Sequence, residues 1–377
     1  MRLSEFRSGT FEQRLAYRSF LPEPIDHPWI IDDPQVLSLL GEADRAVGEL
    51  NAFAQLVPDI AFFISMYVAK EATQSSRIEG TQTSIEDAFK GPEELAPEAR
   101  DDWTEVQNYI AAIKFAIEAL DRLPLSNRLL RDTHAILMRG VRGATKQPGQ
   151  FRISQNWIGV TLKNAAFVPP HHEHVPELMG DLEKFLHNEA HFVPPLIKIA
   201  IAHYQFETIH PFLDGNGRLG RLMISLYLAS EGLMVRPALY LSDFFERNKT
   251  AYVDSLMAVR DGHHLRDWLV FFLEGIRQTA RDAISVFRAI LALKERIERT
   301  VLPQLGARRQ AHGVRLIQAL YARPIIDIRR ASELLDVAPN TASSLIRLLC
   351  QHGVLQEMTG RQRSRFYVFG DYLSLFR

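Results

Sequence analysis

Ile209-His210-Pro211-Phe212-Leu213-Asp214-Gly215-Asn216-Gly217-Arg218-Leu219-Gly220-Arg221 is the stretch on which the reading of this 377-residue chain turns. Residues 195–209 before it have helical apolar spacing, and a second helix is predicted from near Gly217 to Ser230. Two glycines around Asn216 permit left-handed backbone angles and a concave loop of amide donors. A loop of that kind opening a helix attracts anions, because the first amides are unpaired and the dipole is positive there. Arg218 and Arg221 lie three apart on one helical face and can grip two more phosphate groups. Asp214 supplies a hard oxygen for Mg²⁺, and His210 titrates in the range suited to taking a proton near neutrality. These residues together indicate phosphoryl or nucleotidyl transfer from a metal-bound nucleotide. Gly215-x-Gly217-x-x-Gly220 also matches the dinucleotide fingerprint, but that fingerprint needs a preceding strand, and here the preceding segment is helical.

Working outward, the chain reads as all-α with one interruption. Helical periodicity covers 33–56, 59–76, 101–120, 126–139, 175–188, 243–260, 265–276 and 277–299. Residues 143–170 break it, with Pro148, Gly149, Gly159 and Pro169-Pro170 around short apolar runs, and read as a β-hairpin flap. The expected organisation is an N-terminal helical region (1–100), a catalytic domain (101–299), a linker (300–313) and a C-terminal domain (314–377). The last is predicted as helices over 314–322, 328–335 and 340–351, with Asn340 as N-cap, followed by a hairpin, which is the order of a winged helix-turn-helix.

Composition narrows the class. With 46% hydrophobic and 24% charged residues the chain is an ordinary globular one, and its single cysteine, Cys350, excludes a disulfide framework or a cysteine zinc module. No apolar run approaches the ~20 residues of a membrane span, so a cytoplasmic, non-membrane protein is expected. Charge is uneven: from Leu305 onward there are eleven arginines against five carboxylates, a net +6, which leaves −7 on the preceding residues. The basic tail suggests DNA contact through Thr341, Ser343, Ser344 and Arg347 of the recognition helix and Arg361, Arg363 and Arg365 of the wing, with protein docking as the rival use. His171-His172-Glu173-His174 is read as a surface loop rather than a metal site.

Residues 210–221 satisfy the signature H-x-F-x-[DE]-G-N-G-R-x-x-R at every fixed position, so the chain resembles the Fic family. The resemblance implies a helical Fic fold that moves AMP from ATP, with Mg²⁺, to a Ser, Thr or Tyr hydroxyl of a protein target or of itself. His210 would deprotonate that hydroxyl and Phe212 would anchor the loop. Asp214 would hold Mg²⁺. Gly215, Asn216, Gly217, Arg218, Leu219, Gly220 and Arg221 would hold the phosphates, and Asn248 and Tyr252 would reach adenine or ribose. Gln155, Asn156, Trp157, Ile158, Gly159 and Val160 would form the flap stretch that pairs with a target strand. Upstream, Ser75-Ser76-Arg77-Ile78-Glu79-Gly80 is similar to the family's inhibitory pattern [ST]-x-x-x-E-[GN]. Glu79, with Ser75 one turn before it and Gly80 at the helix end, would then bridge Arg221 and take the place of the γ-phosphate. Removal of AMP, transfer of another phosphoryl group, and an ATP-sensing DNA-binding regulator are the alternatives. A homodimer is compatible with all of them.

Overall fold

In the computed structural model, which describes all residues except 16, 57–59, 141–142, 144, 236 and 361–364, the chain is helical throughout its core. Among the described residues ten α-helices precede the tail: α1 (Pro34–Leu56), α2 (Ile60–Ile78), α3 (Arg100–Leu120), α4 (Asn127–Leu137), α5 (Val175–His187), α6 (Pro195–Ile209), α7 (Asn216–Ser230), α8 (Ser242–Arg247), α9 (Lys249–Gly262) and α10 (Leu265–Arg296). At the centre lies α6, buried at every position from Leu196 to Ile209. A helix apolar all round has to be enclosed by others. It packs on α7, α5 and α10, and Trp268 of α10 donates its indole N–H to the Ala200 carbonyl at 2.9 Å. Since α6 and α7 are the two most enclosed helices, the short loop between them is held on both sides.

Two small hairpins flank this core. β1 (Gly9–Gln13) and β2 (Arg18–Pro22) pair with Phe11 opposite Phe20. β3 (Ile158–Gly159) and β4 (Ala165–Phe167) pair across a bulge and form the flap. The Phe20 N–H donates to the Val168 carbonyl at 2.9 Å, so the first hairpin lies alongside the second. Sequence periodicity did not reveal β1 and β2, which are short and owe their pairing to Phe20, buried against Phe11 and Phe167.

The tail comprises α11 (Ala307–Ala322), β5 (Ile325–Asp327), α12 (Ile328–Leu335), α13 (Pro339–Gln351), β6 (Gln356–Glu357), β7 (Phe366–Val368) and α14 (Gly370–Ser374). Its three strands pair antiparallel in the order β5-β7-β6, so the expected succession of helices is followed by a paired ribbon. Several boundaries differ from expectation. Residues 265–296 form one helix rather than two, since their buried face runs unbroken from Leu265 to Leu293. The 243–260 segment divides at Asn248, whose backbone (φ −115, ψ 32) leaves helical geometry. Residues 300–313 remain helical, with the break at Gly306 (φ +77). Asn340 is not an N-cap: Ala338 takes that position in extended geometry, and Pro339 fills the first turn.

Candidate active site

A cleft of about 570 Å³ opens over the α6–α7 junction and reaches from the end of α2 to the flap. His210 closes α6 in a left-handed conformation (φ 51, ψ 60), which turns the chain sharply into the loop. Asn216 braces that loop from within: its Oδ1 accepts the Phe212 N–H and its Nδ2 donates to the Phe212 carbonyl, both at 2.8 Å. Phe212 is fully buried and stacks on His134 of α4 at 3.9 Å. His134 Nδ1 accepts the Gly149 N–H at 2.8 Å, so Nε2 carries the hydrogen and donates to the Asp214 carbonyl at 2.9 Å. Gly215 adopts φ +76 as the cap of α7 and lets the loop fold back without strain.

Burial pushes the His210 imidazole down to about 4, reinforced by the charges of Arg260 and Arg152. It is therefore neutral at pH 7, the state a base requires. Asp214 is exposed at the cleft mouth, where one carboxylate oxygen accepts the Gly215 N–H at 2.6 Å. Its second oxygen is left for a cation. A single hard ligand suits Mg²⁺, which keeps several waters and takes further oxygens from a bound phosphate.

The two arginines of the loop have different partners. Arg218 pairs with Glu105 of α3 at 2.9 Å. Arg221 donates Nε to Ser75 Oγ at 2.8 Å, and one Nη to both the Ser75 carbonyl at 2.9 Å and Glu79 Oε1 at 2.7 Å. The anticipated Glu79–Arg221 contact is thus present, and Ser75 is part of it. Gly80 turns the chain away from α2 at φ +107. Burial works to raise the Glu79 carboxyl, but Arg221, helped by Arg218 and His210, holds it below its ordinary range. With its side chain 39% exposed, water screens part of that attraction. Gly217 admits the contact, since a Cβ there would lie 2.3 Å from Glu79 Oε1.

Tyr252 lines the cleft, but its hydroxyl is engaged by His203 Nε2 at 2.9 Å. Asn248 does not line the cleft. It caps α8, donating Nδ2 to the Phe244 carbonyl at 2.9 Å. Within the flap stretch, Gln155 and Asn156 face inward, against the expectation of a target-pairing role: Asn156 donates to the His210 and Phe212 carbonyls at 3.1 and 2.8 Å, and Gln155 to Pro169. Trp157, Ile158, Gly159 and Val160 remain at the surface or half-buried, with Ile158 and Gly159 forming β3.

Four cleft-region residues were not anticipated: Glu207, Arg260, Arg152 and His134. Arg260 shares the buried face of α9 with Tyr252, Leu256 and Val259, and an arginine at a core-phased position was the available signal. His134 likewise sits in phase with Leu130 and Leu137. Burial raises the Glu207 carboxyl to about 7. Among the described residues, His171, His172 and Glu173 are the one group whose metal-capable atoms all fall within 4.8 Å of one another. Neighbouring histidines were expected to diverge, but a 3₁₀ turn over His172–His174 draws them together, outside the cleft.

Fold and cleft define a class: a helical protein that can seat a polyanion where two buried helices meet beneath a hairpin. The family model described as Fic/DOC family N-terminal matches residues 37–118, and that described as Fic/DOC family matches residues 124–228. The chain belongs to the Fic family. It is 34% identical over 87 residues to protein adenylyltransferase fic-1 of Caenorhabditis elegans, covering 23% of this chain and 16% of that protein. It is 35% identical over 103 residues to a probable protein adenylyltransferase of Aquifex aeolicus, covering 27% and 29%. Against protein adenylyltransferase Fic of Drosophila grimshawi, identity is 27% over 209 residues, covering 54% and 40%. The matches thus span less than half the length of each of these curated relatives. A solved Fic family protein from Desulfovibrio desulfuricans G20 superposes with a TM-score of 0.57 at 21% identity, covering 91% of this chain and 98% of its own. Fic-1 from C. elegans does so at 0.53 and 22%, covering 69% and 75%. Both show the fold.

Proposed function

We propose that this chain is a protein adenylyltransferase, moving AMP from Mg-ATP to a Ser, Thr or Tyr hydroxyl of a target or of itself, with Glu79 on Arg221 as its brake. The observation that carries this reading is a neutral imidazole at the rim of a cleft floored by a helix N-terminus and two arginines. In this reading His210 takes the hydroxyl proton, and the oxygen attacks the α-phosphorus. The α7 amides and Arg218 stabilise the charge that develops, and pyrophosphate leaves. Asp214 would hold Mg²⁺, which neutralises phosphate charge when bound. Val253, Leu256 and Met257 beside Tyr252 offer an apolar wall for adenine. Glu79 occupies the guanidinium that the terminal phosphate would otherwise take. The curated relatives named protein adenylyltransferase support the same reading.

The test is transfer of label from α-³²P-ATP with Mg²⁺, resolved on a denaturing gel, for wild type, Glu79→Gly, His210→Ala and the double variant. Expected are weak labelling in wild type, strong labelling in Glu79→Gly and none in either His210 variant. Equal labelling in wild type and Glu79→Gly would remove the brake, and no label in any form would overturn adenylylation and favour AMP removal or transfer of another group.

A second reading concerns the tail. Asn340, Thr341 and Arg347 are exposed on α13, Ser343 and Ser344 half-buried, and Arg365, which directly precedes β7, is exposed; Arg361 and Arg363 lie outside the described residues. With no carboxylate on α13, this face suits a DNA backbone and would make the chain a nucleotide-responsive regulator. Duplex binding with a steep loss of affinity between low and high salt would support it.

A further inference from the structure

The last carbonyls of any helix lack partners within it, and α6 ends, in addition, on a left-handed histidine, a conformation costing a non-glycine residue about 1 kcal/mol or more. Two arginines meet this end. Arg260 of α9 donates to the Glu207 carbonyl at 2.9 Å and to Thr208 Oγ1 at 3.1 Å. Arg152 donates to the Ile209 carbonyl at 3.2 Å and the His210 carbonyl at 2.9 Å, and its backbone N–H reaches the Pro211 carbonyl at 2.9 Å. Both residues are buried, 4% and 2% exposed. Among the described residues the ion pairs of the cleft are Arg218–Glu105 and Arg221–Glu79, and neither Arg152 nor Arg260 pairs with a carboxylate. Burying an unpaired cation is costly. Here the negative end of the α6 dipole supplies the compensating charge.

Each arginine also reaches the flap. The Arg260 guanidinium lies 4.0 Å from the ring centre of Phe167 in β4. Arg152 donates to the Pro170 carbonyl just beyond β4. On the outer side, Ser8 Oγ donates to the Arg260 carbonyl at 3.2 Å, which fixes the residue to the N-terminal arm.

We propose that Arg152 and Arg260 are positioning residues of the transfer reaction: a paired cap that fixes the His210 end of α6 against the flap and sets two positive charges beside the imidazole. The proposal rests on His210 being the base of the function proposed above. A helix C-terminus on its own favours a protonated histidine. Burial, the larger cause, and the two cations together reverse that preference, so the base stays free of a proton without any carboxylate to orient it. The charged groups facing His210 are Arg260 from α9, Arg152 from the segment before the flap, and Glu79 beyond α2, which acts in the opposite sense.

The test uses the full chain and does not require activity. The His210 ring signal is assigned by its loss in His210→Ala and titrated by NMR. In Arg260→Met its midpoint should rise by roughly one unit from about 4, the size expected on removing a neighbouring like charge; in Arg260→Lys it should stay near the parent value. In the Glu79→Gly background, Arg260→Met should move the acid limb of label transfer the same way. It should also lower kcat by about tenfold or more while the KM for ATP stays within about twofold. An unmoved midpoint in a folded Arg260→Met chain overturns the proposal, as does a raised KM at constant kcat, which would make Arg260 a nucleotide contact. If Arg260→Met does not fold, Arg152→Lys and Arg260→Lys decide: each keeps its charge but loses the second donor, so unchanged kcat in both overturns the cap. Absence of transfer in Glu79→Gly itself sinks the proposed function while the titration still tests the cap.

Discussion

Tyr252 shows how a residue can line the cleft and still serve the scaffold. His203 Nδ1–H donates to the Gly220 carbonyl at 3.0 Å, so its Nε2 must accept from the Tyr252 hydroxyl. Tyr252→Phe would leave that buried nitrogen without a donor and should cost about 1–3 kcal/mol in denaturant unfolding; an unchanged midpoint would mean the bond contributes nothing net. Acid behaviour follows from the same burial. The imidazoles of His203, His134 and His210 are pushed down to about 3, 4 and 4 from 6.5, in each case chiefly by burial. Below pH 6.5 the unfolded chain binds protons that the folded chain refuses, so stability is intact above 6.5 and falls as pH drops toward 4, by ~1.4 kcal/mol per unit per histidine. Glu207, raised to about 7 from 4.5, opposes this between those values, as does Glu71, also raised by burial, while the lowered His171 adds to it, leaving four imidazoles against two fully buried carboxyls. Tm should therefore fall from pH 6.5 to 5, and a flat profile would contradict the assignment. The Glu79–Arg221 contact was anticipated through the family resemblance, whose signature names one partner and whose inhibitory pattern names the other. The Glu105–Arg218 pair was not, since nothing local to Glu105 marks it among the chain's carboxylates.

Helices with continuous buried faces were legible in outline, and errors gathered where tertiary contact sets the boundary. The α8–α9 break depends on Asn248 capping Phe244, and the β1–β2 hairpin depends on the flap beside it. On α7, Gly217 and Gly220 stand one turn apart and leave a bare strip on which Glu79 and Glu207 rest. A Cβ at Gly220 would lie 2.3 Å from Glu207 Oε1 and 3.0 Å from Phe206 Cδ1, both on the buried helix α6. Gly220→Ala should therefore force α6 and α7 apart and destabilise the chain by about 1–3 kcal/mol, visible as a lower Tm. A neutral result would mean that Glu207 can move aside.

At the scale of the whole molecule, the tail and the helical body share one core. Phe63 of α2 meets Tyr321 edge-on at 5.0 Å, and Tyr67 meets Phe376 at 5.2 Å. Ser65 donates to the Ala322 carbonyl at 3.1 Å, and Arg377 pairs with Glu86 past the end of α2. The succession of helices and hairpin in the tail was readable from sequence; its seat on α2 was not, because an amphipathic face does not name its partner. Calorimetry of the full chain should accordingly show one unfolding transition, and two well-separated transitions would contradict a shared core. No helix among the described residues is long and apolar enough to cross a membrane. The placement of Glu79 on the same chain as Arg221 has a quantitative consequence. A carboxylate tethered one turn beyond the Ser75 contact meets the guanidinium at an effective concentration of order millimolar or above. Diluting the protein does not weaken that encounter, so a competing anion is judged by its own concentration against a fixed internal one.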